Sequence, residues 1–300
     1  GRHGGAARPP LGAMAGNYWT SSHRRRWIFE PHELRALRAQ ARGSFSDAEA
    51  ELIDDRMLFL MREVGVALLW RAPVVATAKT LYKRFYTKAS LEGFDPRLIA
   101  VTALYMGAKI EELGQYNLVR LLNAVSKVVK ENKVLFPTFS PQHVHDFEFH
   151  ILSKLGFDLV IFHPFRYIEK FCRDAGASSD VFRTSWDLAN DSYLSDVILI
   201  HPPYLIALAA MYIACVHHTL DLREWFNRLN VNFGKLKTVT RDLTDLLRAR
   251  ERGVPNAPNP AQLLKKLQDK YQNALDKQGE EHATRKRKRE EQAKLESRKK

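Results

Sequence analysis

The chain has 300 residues, and 45% of them are hydrophobic, a normal share for a globular protein with a buried core. No apolar run reaches the roughly eighteen residues needed to span a bilayer, so the sequence predicts no membrane helix. There are only two cysteines, Cys172 and Cys215, and no CxxC pair. This usage excludes a disulfide framework and a cysteine zinc site, and it fits a reducing compartment.

The net charge of +13 is concentrated at the two ends of the chain. Residues 1–26 carry five arginines and no acidic residue, and residues 251–300 carry 14 basic and 8 acidic residues. Residues 27–250 carry 28 basic and 26 acidic residues, a net charge of only +2. DNA-binding domains need a basic surface to neutralise phosphates. The nearly neutral body therefore favours a protein partner, and we expect the chain to bind no specific nucleic acid.

Helical periodicity runs from residue 47 to residue 250, without an alternating strand or an Asn-Gly or Asp-Gly hairpin turn. The first long helix is predicted after Ser46, a good N-cap residue, and the second after the break at Pro73. The third begins at Asp95-Pro96, because proline at the first helical position costs no hydrogen bond.

Two more helices complete a first set of five, and a second set of five follows. The fourth helix carries Leu118 to Val128 and the fifth carries Val144 to Leu155, where Gly156 ends it. The second set is predicted to begin at Pro164 and to continue at 181–193, at Pro202-Pro203, at 222–229 and at 236–246.

The third helices of the two sets align at an offset of 107 residues. PRLIAVTALYMGAK (96–109) and PYLIALAAMYIACV (203–216) agree at six of fourteen positions, including the first proline and Tyr105 with Tyr212. Shared apolar composition is the alternative explanation, but the proline and tyrosine in register favour an internal duplication. The sequence thus predicts an all-α protein of two tandem five-helix repeats.

Four segments carry a resemblance to a known family. They are MAGNYWTSSH (14–23), KRFYTKASLEGFDPRLIAVTALYMGAKIEE (83–112), FEFHILSKLGFDLVIFHPFRYI (147–168) and NDSYLSDVILIHPPYLIALAAMYIACV (190–216). The chain resembles the cyclins, and among them the C-type cyclins, over about residues 14–250. The resemblance implies two cyclin-box repeats and an extra N-terminal helix.

The domain boundaries follow from these features. Residues 1–13 are expected to be disordered or extraneous, with the true start at Met14, and their lack of an apolar core excludes a secretory signal. The expected divisions are an N-terminal helix segment at 14–45, a first cyclin box at 46–158, a second at 159–250 and a flexible basic tail at 251–300.

The resemblance also implies the function. C-type cyclins are non-catalytic regulatory subunits that bind and activate the cyclin-dependent serine/threonine kinase of the Mediator kinase module, which regulates transcription by RNA polymerase II. We therefore expect a nuclear protein whose partners are this kinase and the other module subunits. We expect the protein to have no enzyme activity, to bind no cofactor and no metal, and not to associate with a membrane.

Lys109 and Glu148 are the candidate functional pair. Taken alone, they indicate only two solvated helix charges. In cyclins, however, a lysine at the KxEE position and a glutamate in the fifth helix hold the backbone of the kinase's mobile regulatory helix. The kinase-binding residues implied by the resemblance are Lys109, Ile110, Glu111, Glu112, Glu148, Leu152 and Leu159.

Other function classes have weaker support. His143, His145 and His150 suggest a metal site, but positions i and i+2 do not share a helix face and no HExxH motif occurs. No nucleotide-binding glycine motif is present. A protein of the transcription factor IIB type has the same duplicated fold and binds DNA, but that family brings a cysteine zinc ribbon and basic repeats, which this sequence lacks.

The tail contains a compact basic cluster, Arg285-Lys286-Arg287-Lys288-Arg289. It is a candidate nuclear-import signal, and a solvated disordered tail is the compatible alternative. The residues PNAPNP (255–260) form a linker before it. The following QLLKKLQDKYQNAL has helical spacing, which predicts only a marginal helix.

Overall fold

The structure is a computed structural model that describes residues 16–114, 117–132, 134, 136–252, 259, 262–269 and 271. Every regular element in this part of the chain is helical, and no strand occurs in it. The all-α prediction is confirmed.

The elements follow the predicted order closely. Within the described residues, a 3₁₀ turn at Tyr18–Thr20 is followed by α1 (Ser22–Arg26), α2 (Pro31–Arg42), α3 (Asp47–Ala67), α4 (Ala72–Phe85), α5 (Pro96–Ile110), α6 (Leu118–Glu131), α7 (Pro141–Lys154), α8 (Phe165–Asp174), α9 (Ser179–Ser192), α10 (Val197–Ile200), α11 (Pro203–His217), α12 (Arg223–Asn227) and α13 (Phe233–Arg252). The short helix α10 was not predicted.

Local capping explains where the main helices begin. The Ser46 hydroxyl accepts from the backbone N–H of Glu49, whose carboxylate accepts from Ser46 N–H, a complete capping box for α3. The Asp95 carboxylate accepts from the N–H of Arg97 at 2.9 Å and caps α5. Pro141 is the first residue of α7, a position where its missing N–H is harmless.

The described residues form two compact units. One contains residues 39–82 and 89–151 together with the C-terminal residues 259, 262–269 and 271; the other contains residues 16–38, 83–88 and 152–252. In the first unit, α5 is buried from Pro96 to Ala108. It approaches α4 so closely that a Cβ at Gly107 would lie 2.9 Å from the carbonyl oxygen of Val74. In the second unit, α11 packs against α8, α9 and α13.

Helix α4 is not amphipathic over its second half, because every residue from 76 to 85 is buried. The buried residues include charged side chains, because protein groups take over the contacts that water would make with these charges. The ammonium of Lys83 lies 3.1 Å from a carboxylate oxygen of Asp196, which Arg38 also binds at 2.6 Å. The Arg84 guanidinium lies over the Trp27 ring at 4.9 Å.

Residues 262–269, within the tail we expected to be flexible, are helical and pack on the first repeat. The Tyr271 hydroxyl donates to the carbonyl oxygen of Phe94 at 2.8 Å and also contacts that of Leu91, and burial raises its pKa. The Lys266 ammonium lies 2.7 Å from the Glu49 carboxylate. The buried side chains of this segment are Leu263, Leu264, Leu267 and Tyr271. We call residues 262–269 with Tyr271 the docked segment.

Candidate functional site

The structure brings Lys109 and Glu148 into direct contact. Lys109 is the next-to-last residue of α5, and its ammonium forms a hydrogen-bonded ion pair with the Glu148 carboxylate on α7. The same ammonium lies 5.2 Å from the centre of the Tyr105 ring, one helical turn earlier. The sequence predicted both charges as site residues but gave no reason to expect that they pair.

The pair is held in place and remains accessible. The Lys109 side chain is 38% exposed and that of Glu148 is 18% exposed. The second carboxylate oxygen of Glu148 lies 4.0 Å from Nδ1 of His145, whose ring meets the edge of Tyr105 at 5.5 Å. Partly exposed ion pairs contribute only about 0.2–1 kcal/mol to stability. The pair therefore adds little to the stability of the fold, and the exposed part of each side chain can contact a partner.

The two glutamates after Lys109 shape the end of α5. Glu111 is its C-cap, and its carboxylate accepts from the Thr77 hydroxyl on α4 at 2.6 Å. Its carbonyl oxygen accepts from the Arg71 guanidinium at 3.2 Å. Glu112 is exposed and has a φ of +49°, in the left-handed region that ends helices. Ile110 is half-buried beside them.

Leu152 and Leu159 belong to the other compact unit. Leu152 lies on α7 four residues after Glu148 and is half-buried. Leu159 is half-buried in the segment that follows, where its N–H donates to the carbonyl oxygen of Phe157 at 3.0 Å. Both remain predicted members of the site.

Sequence reasoning missed Phe149, which follows Glu148 directly on α7. Its side chain is 66% exposed. The buried positions of α7 are Val144 and Ile151, seven residues apart, and Phe149 falls outside that stripe. A large apolar residue off the buried stripe of an amphipathic helix is the signal that could have identified it, because such residues often mark contact surfaces.

The histidines of α7 have local partners in the structure. Nδ1 of His143 accepts from the N–H of Ser140 at 3.2 Å, and the His150 ring lies 5.3 Å from that of Phe147. Among the residues the structure describes, no group of three or more His, Cys, Asp or Glu side chains is arranged to hold a metal ion. No helix in that same part of the chain has the length and apolarity to cross a membrane. The candidate import cluster at residues 285–289 lies outside the described ranges.

Comparison with known proteins identifies the family. The family model described as "Cyclin, N-terminal domain" matches residues 51–160, a region that contains both Lys109 and Glu148. The protein named Cyclin-C of Drosophila pseudoobscura pseudoobscura is 33% identical over 239 residues, covering 78% of this chain and 89% of the relative. The chain belongs to the cyclin family.

Two further comparisons agree with this cyclin assignment. Cyclin-C1-2 of Arabidopsis thaliana is 34% identical over 234 residues, covering 77% of this chain and 90% of that protein. A chain in the structure of the CAK complex from Chaetomium thermophilum, bound to ATP-gamma-S, matches with a TM-score of 0.65 at 20% identity, covering 84% of this cyclin and 88% of that chain. The sequence relatives confirm the resemblance to cyclin C, and the structural match supports the fold.

Proposed function

We propose that this cyclin is the regulatory subunit that binds and activates the cyclin-dependent serine/threonine kinase of the Mediator kinase module, and so regulates transcription by RNA polymerase II in the nucleus. The observation that carries the proposal is the accessible Lys109–Glu148 ion pair, which joins α5 to α7 within the region matched to the cyclin model. Membership of the family and the similarity to cyclin C support the class of partner. The other subunits of the module are the further expected partners.

The chemistry of the pair suits the backbone of a helix. The last carbonyl groups of a helix and its first N–H groups lack partners within the helix. An ammonium has three donors and a carboxylate has several acceptor sites, so neither Lys109 nor Glu148 is saturated by the other. Because Lys109 and Glu148 contact each other, both would bind the same stretch of kinase backbone at one end of the helix, where Lys109 donates to a carbonyl oxygen and Glu148 accepts from an N–H group. Because these contacts involve only backbone atoms, they do not distinguish one kinase from another. Specificity for a kinase must therefore come from apolar neighbours such as Ile110 and Phe149.

Activation follows from a shift between conformations of the kinase. Protein kinases need an ion pair between a strand lysine and a glutamate of the mobile regulatory helix before phosphoryl transfer is efficient. A cyclin that binds the active orientation of this helix more tightly than the inactive one raises the population of the active orientation. The size of the shift is set by the difference between the two affinities. The cyclin contributes no reacting group.

Charge reversal tests the proposal. Lys109→Glu and Glu148→Lys each remove one backbone contact and leave an unmatched charge, a loss of about 2–5 kcal/mol in buried interfaces. We expect activation of the purified kinase to require about 30-fold to 4,000-fold more cyclin, because each 1.4 kcal/mol is tenfold in affinity. Circular dichroism and urea unfolding should stay close to the parent protein, since the pair is partly exposed.

Two further variants separate binding from folding. The double variant Lys109→Glu with Glu148→Lys restores an ion pair within the cyclin but presents the wrong charge at each position, so activation should stay lost. Lys127 forms an exposed pair with Glu131 on α6, at 3.8 Å, and Lys127→Glu is the matched control that should activate normally. Full activation by the double variant, or by both single variants, would show that this surface does not bind the kinase.

A further inference from the structure

A long apolar groove lies on the second repeat, between α11, α12 and α13. Its volume is about 920 Å³, close to the upper end of the roughly 300–1,000 Å³ seen for ligand pockets. Large apolar side chains in it remain open to water: Val216 is 63% exposed, Phe233 is 49% and Tyr212 is 44%. Phe226 and Leu236 also belong to its apolar lining. Exposed apolar surface of this extent typically marks a binding site.

The internal duplication relates this groove to the Lys109 site of the first repeat. At the offset of 107 residues, Val216 takes the place of Lys109 near the end of its helix. Glu112 and Thr219, which also match at this offset, both have a positive φ, of 49° and 54°. The two helices therefore end in the same way, and the lysine is replaced by an exposed valine.

The other side of the groove shows a matching change. Helices α7 and α13 each bury apolar residues seven apart, which fixes their register. The buried residues that define it are Val144 and Ile151 on α7, and Leu236 and Leu243 on α13. Glu148 lies three residues before Ile151, and Thr240 lies three residues before Leu243. At the positions that match Lys109 and Glu148, the second repeat therefore has an exposed valine and a threonine, and it lacks the ion pair of the first repeat.

One wall of the groove is basic. Lys237, Arg241 and Arg248 follow one another along α13 at spacings of four and seven, which places them on one face. Two of these cations have acidic neighbours: Arg241 lies 3.4 Å from Asp242, and Arg248 lies 3.6 Å from Asp245. The other acidic residue of the lining, Asp221, pairs with Arg223 at 2.6 Å. Lys237 has no ion pair with any residue that the structure describes. The lining contains four basic and two acidic residues, and this net positive charge favours an acidic occupant.

The dimensions favour an elongated occupant from another protein. The lining extends along α13 from Phe233 to Arg248, about 22 Å at 1.5 Å per residue. That length matches about four turns of a partner helix. The rest of this chain's own tail, residues 272–300, carries ten basic and six acidic residues, so the basic wall repels it.

We propose that this groove binds an acidic amphipathic helix of a partner protein. Apolar side chains of the partner at positions i, i+3, i+4 and i+7 pack on the floor formed by Val216, Phe226 and Leu236. Carboxylates on one flank of the partner helix face Lys237 and Arg241. The proposal does not depend on kinase binding by the first repeat, because it uses none of the same residues.

Synthetic peptides titrated into the full chain by calorimetry test the proposal. All are helical and about four turns long. The glutamate peptide and the lysine peptide carry the same leucine stripe, and they differ in having glutamates or lysines on both flanks of it. The third peptide has the same amino-acid composition as the glutamate peptide, but its sequence is scrambled so that no leucine stripe forms. We expect the glutamate peptide to bind at least about tenfold more tightly than the other two at low salt, and the preference to weaken as salt rises.

Variants of the cyclin locate the binding. Val216→Asp should lower the affinity of the cyclin for the glutamate peptide at least about tenfold. Val66→Asp is the matched control, because Val66 is 64% exposed and is also the next-to-last residue of its helix, α3. It should bind the peptide normally. The double variant Lys237→Glu with Arg241→Glu changes only exposed positions, and it should bind the lysine peptide better than the glutamate peptide.

Four results would overturn the proposal. They are saturable binding of no peptide, equal binding of the acidic and basic peptides, an unchanged preference in the Lys237→Glu, Arg241→Glu variant, and equal binding by Val216→Asp and Val66→Asp. Self-association of the chain that Val216→Asp abolishes in sedimentation would also overturn it, because the occupant would then be a second copy of this cyclin.

Discussion

His23 should make this cyclin lose stability in mild acid. Its side chain is only 3% exposed. Its Nδ1 accepts from the backbone N–H of Phe162 at 3.0 Å, and its Nε2 is buried with no hydrogen-bond partner among the residues that the structure describes. Burial, followed by the charges of Arg84 and His163, lowers its pKa from 6.5 to about 2. A proton on Nδ1 would also face the N–H of Phe162, donor against donor.

The size of the effect follows from proton linkage. Below pH 6.5 the unfolded chain protonates this imidazole, while the folded chain keeps it neutral down to about pH 2. The unfolded state therefore binds more protons, and folding loses about 1.4 kcal/mol per pH unit across this window. Between pH 6.5 and about pH 4.5 the loss from His23 alone should reach about 3 kcal/mol.

Urea unfolding from about pH 7.5 to about pH 4.5 measures this loss. His23→Gln keeps an oxygen acceptor for the Phe162 N–H but cannot titrate, so its stability should fall less steeply in acid. The difference between parent and variant cancels the other titrating groups, and it should change by about 1.4 kcal/mol per pH unit below 6.5. His32→Gln, at an exposed position of α2, should follow the parent. Parallel curves for the parent and His23→Gln would refute the reasoning.

Three other predictions concern burial, charge and location. Leu267→Ala should lower the free energy of unfolding measured in urea by about 2–5 kcal/mol, because Leu267 is fully buried, while Lys265→Ala at an exposed neighbour should have little effect. Burial acts to raise the pKa of Asp196, but two neighbouring cations outweigh it and lower the pKa below 3.8. Its stabilisation is therefore present above pH 3.8 and lost in stronger acid, so the stability gap between the parent and Asp196→Asn should shrink below that pH. Replacing Arg285–Arg289 with alanine should reduce nuclear accumulation, most clearly in the Glu148→Lys background, where the kinase cannot carry the cyclin; undiminished accumulation there would leave the cluster as a solvated charge run.

Local signals in the sequence were enough for the helices and for the family. Ser46 and Asp95 cap their helices as predicted, and Pro203 begins α11, because a cap or a helix-starting proline acts within one turn of the chain. Periodic apolar positions predicted most of the core for the same reason. The motif around Lys109 and Glu148 identified the candidate site, although only through resemblance to cyclins.

Tertiary packing decided the features that depend on residues far apart in the chain. Lysine is rarely buried in a folded protein, yet Lys83 of α4 is buried because Asp196, 113 residues away, supplies its counter-charge. The docked segment looked marginal because an isolated helix of its length is barely stable in water, and its leucines find their apolar contacts only on the first repeat. The pairing of Lys109 with Glu148 and the groove of the second repeat arise in the same way. Each requires the packing of whole helices, and no short stretch of sequence encodes it.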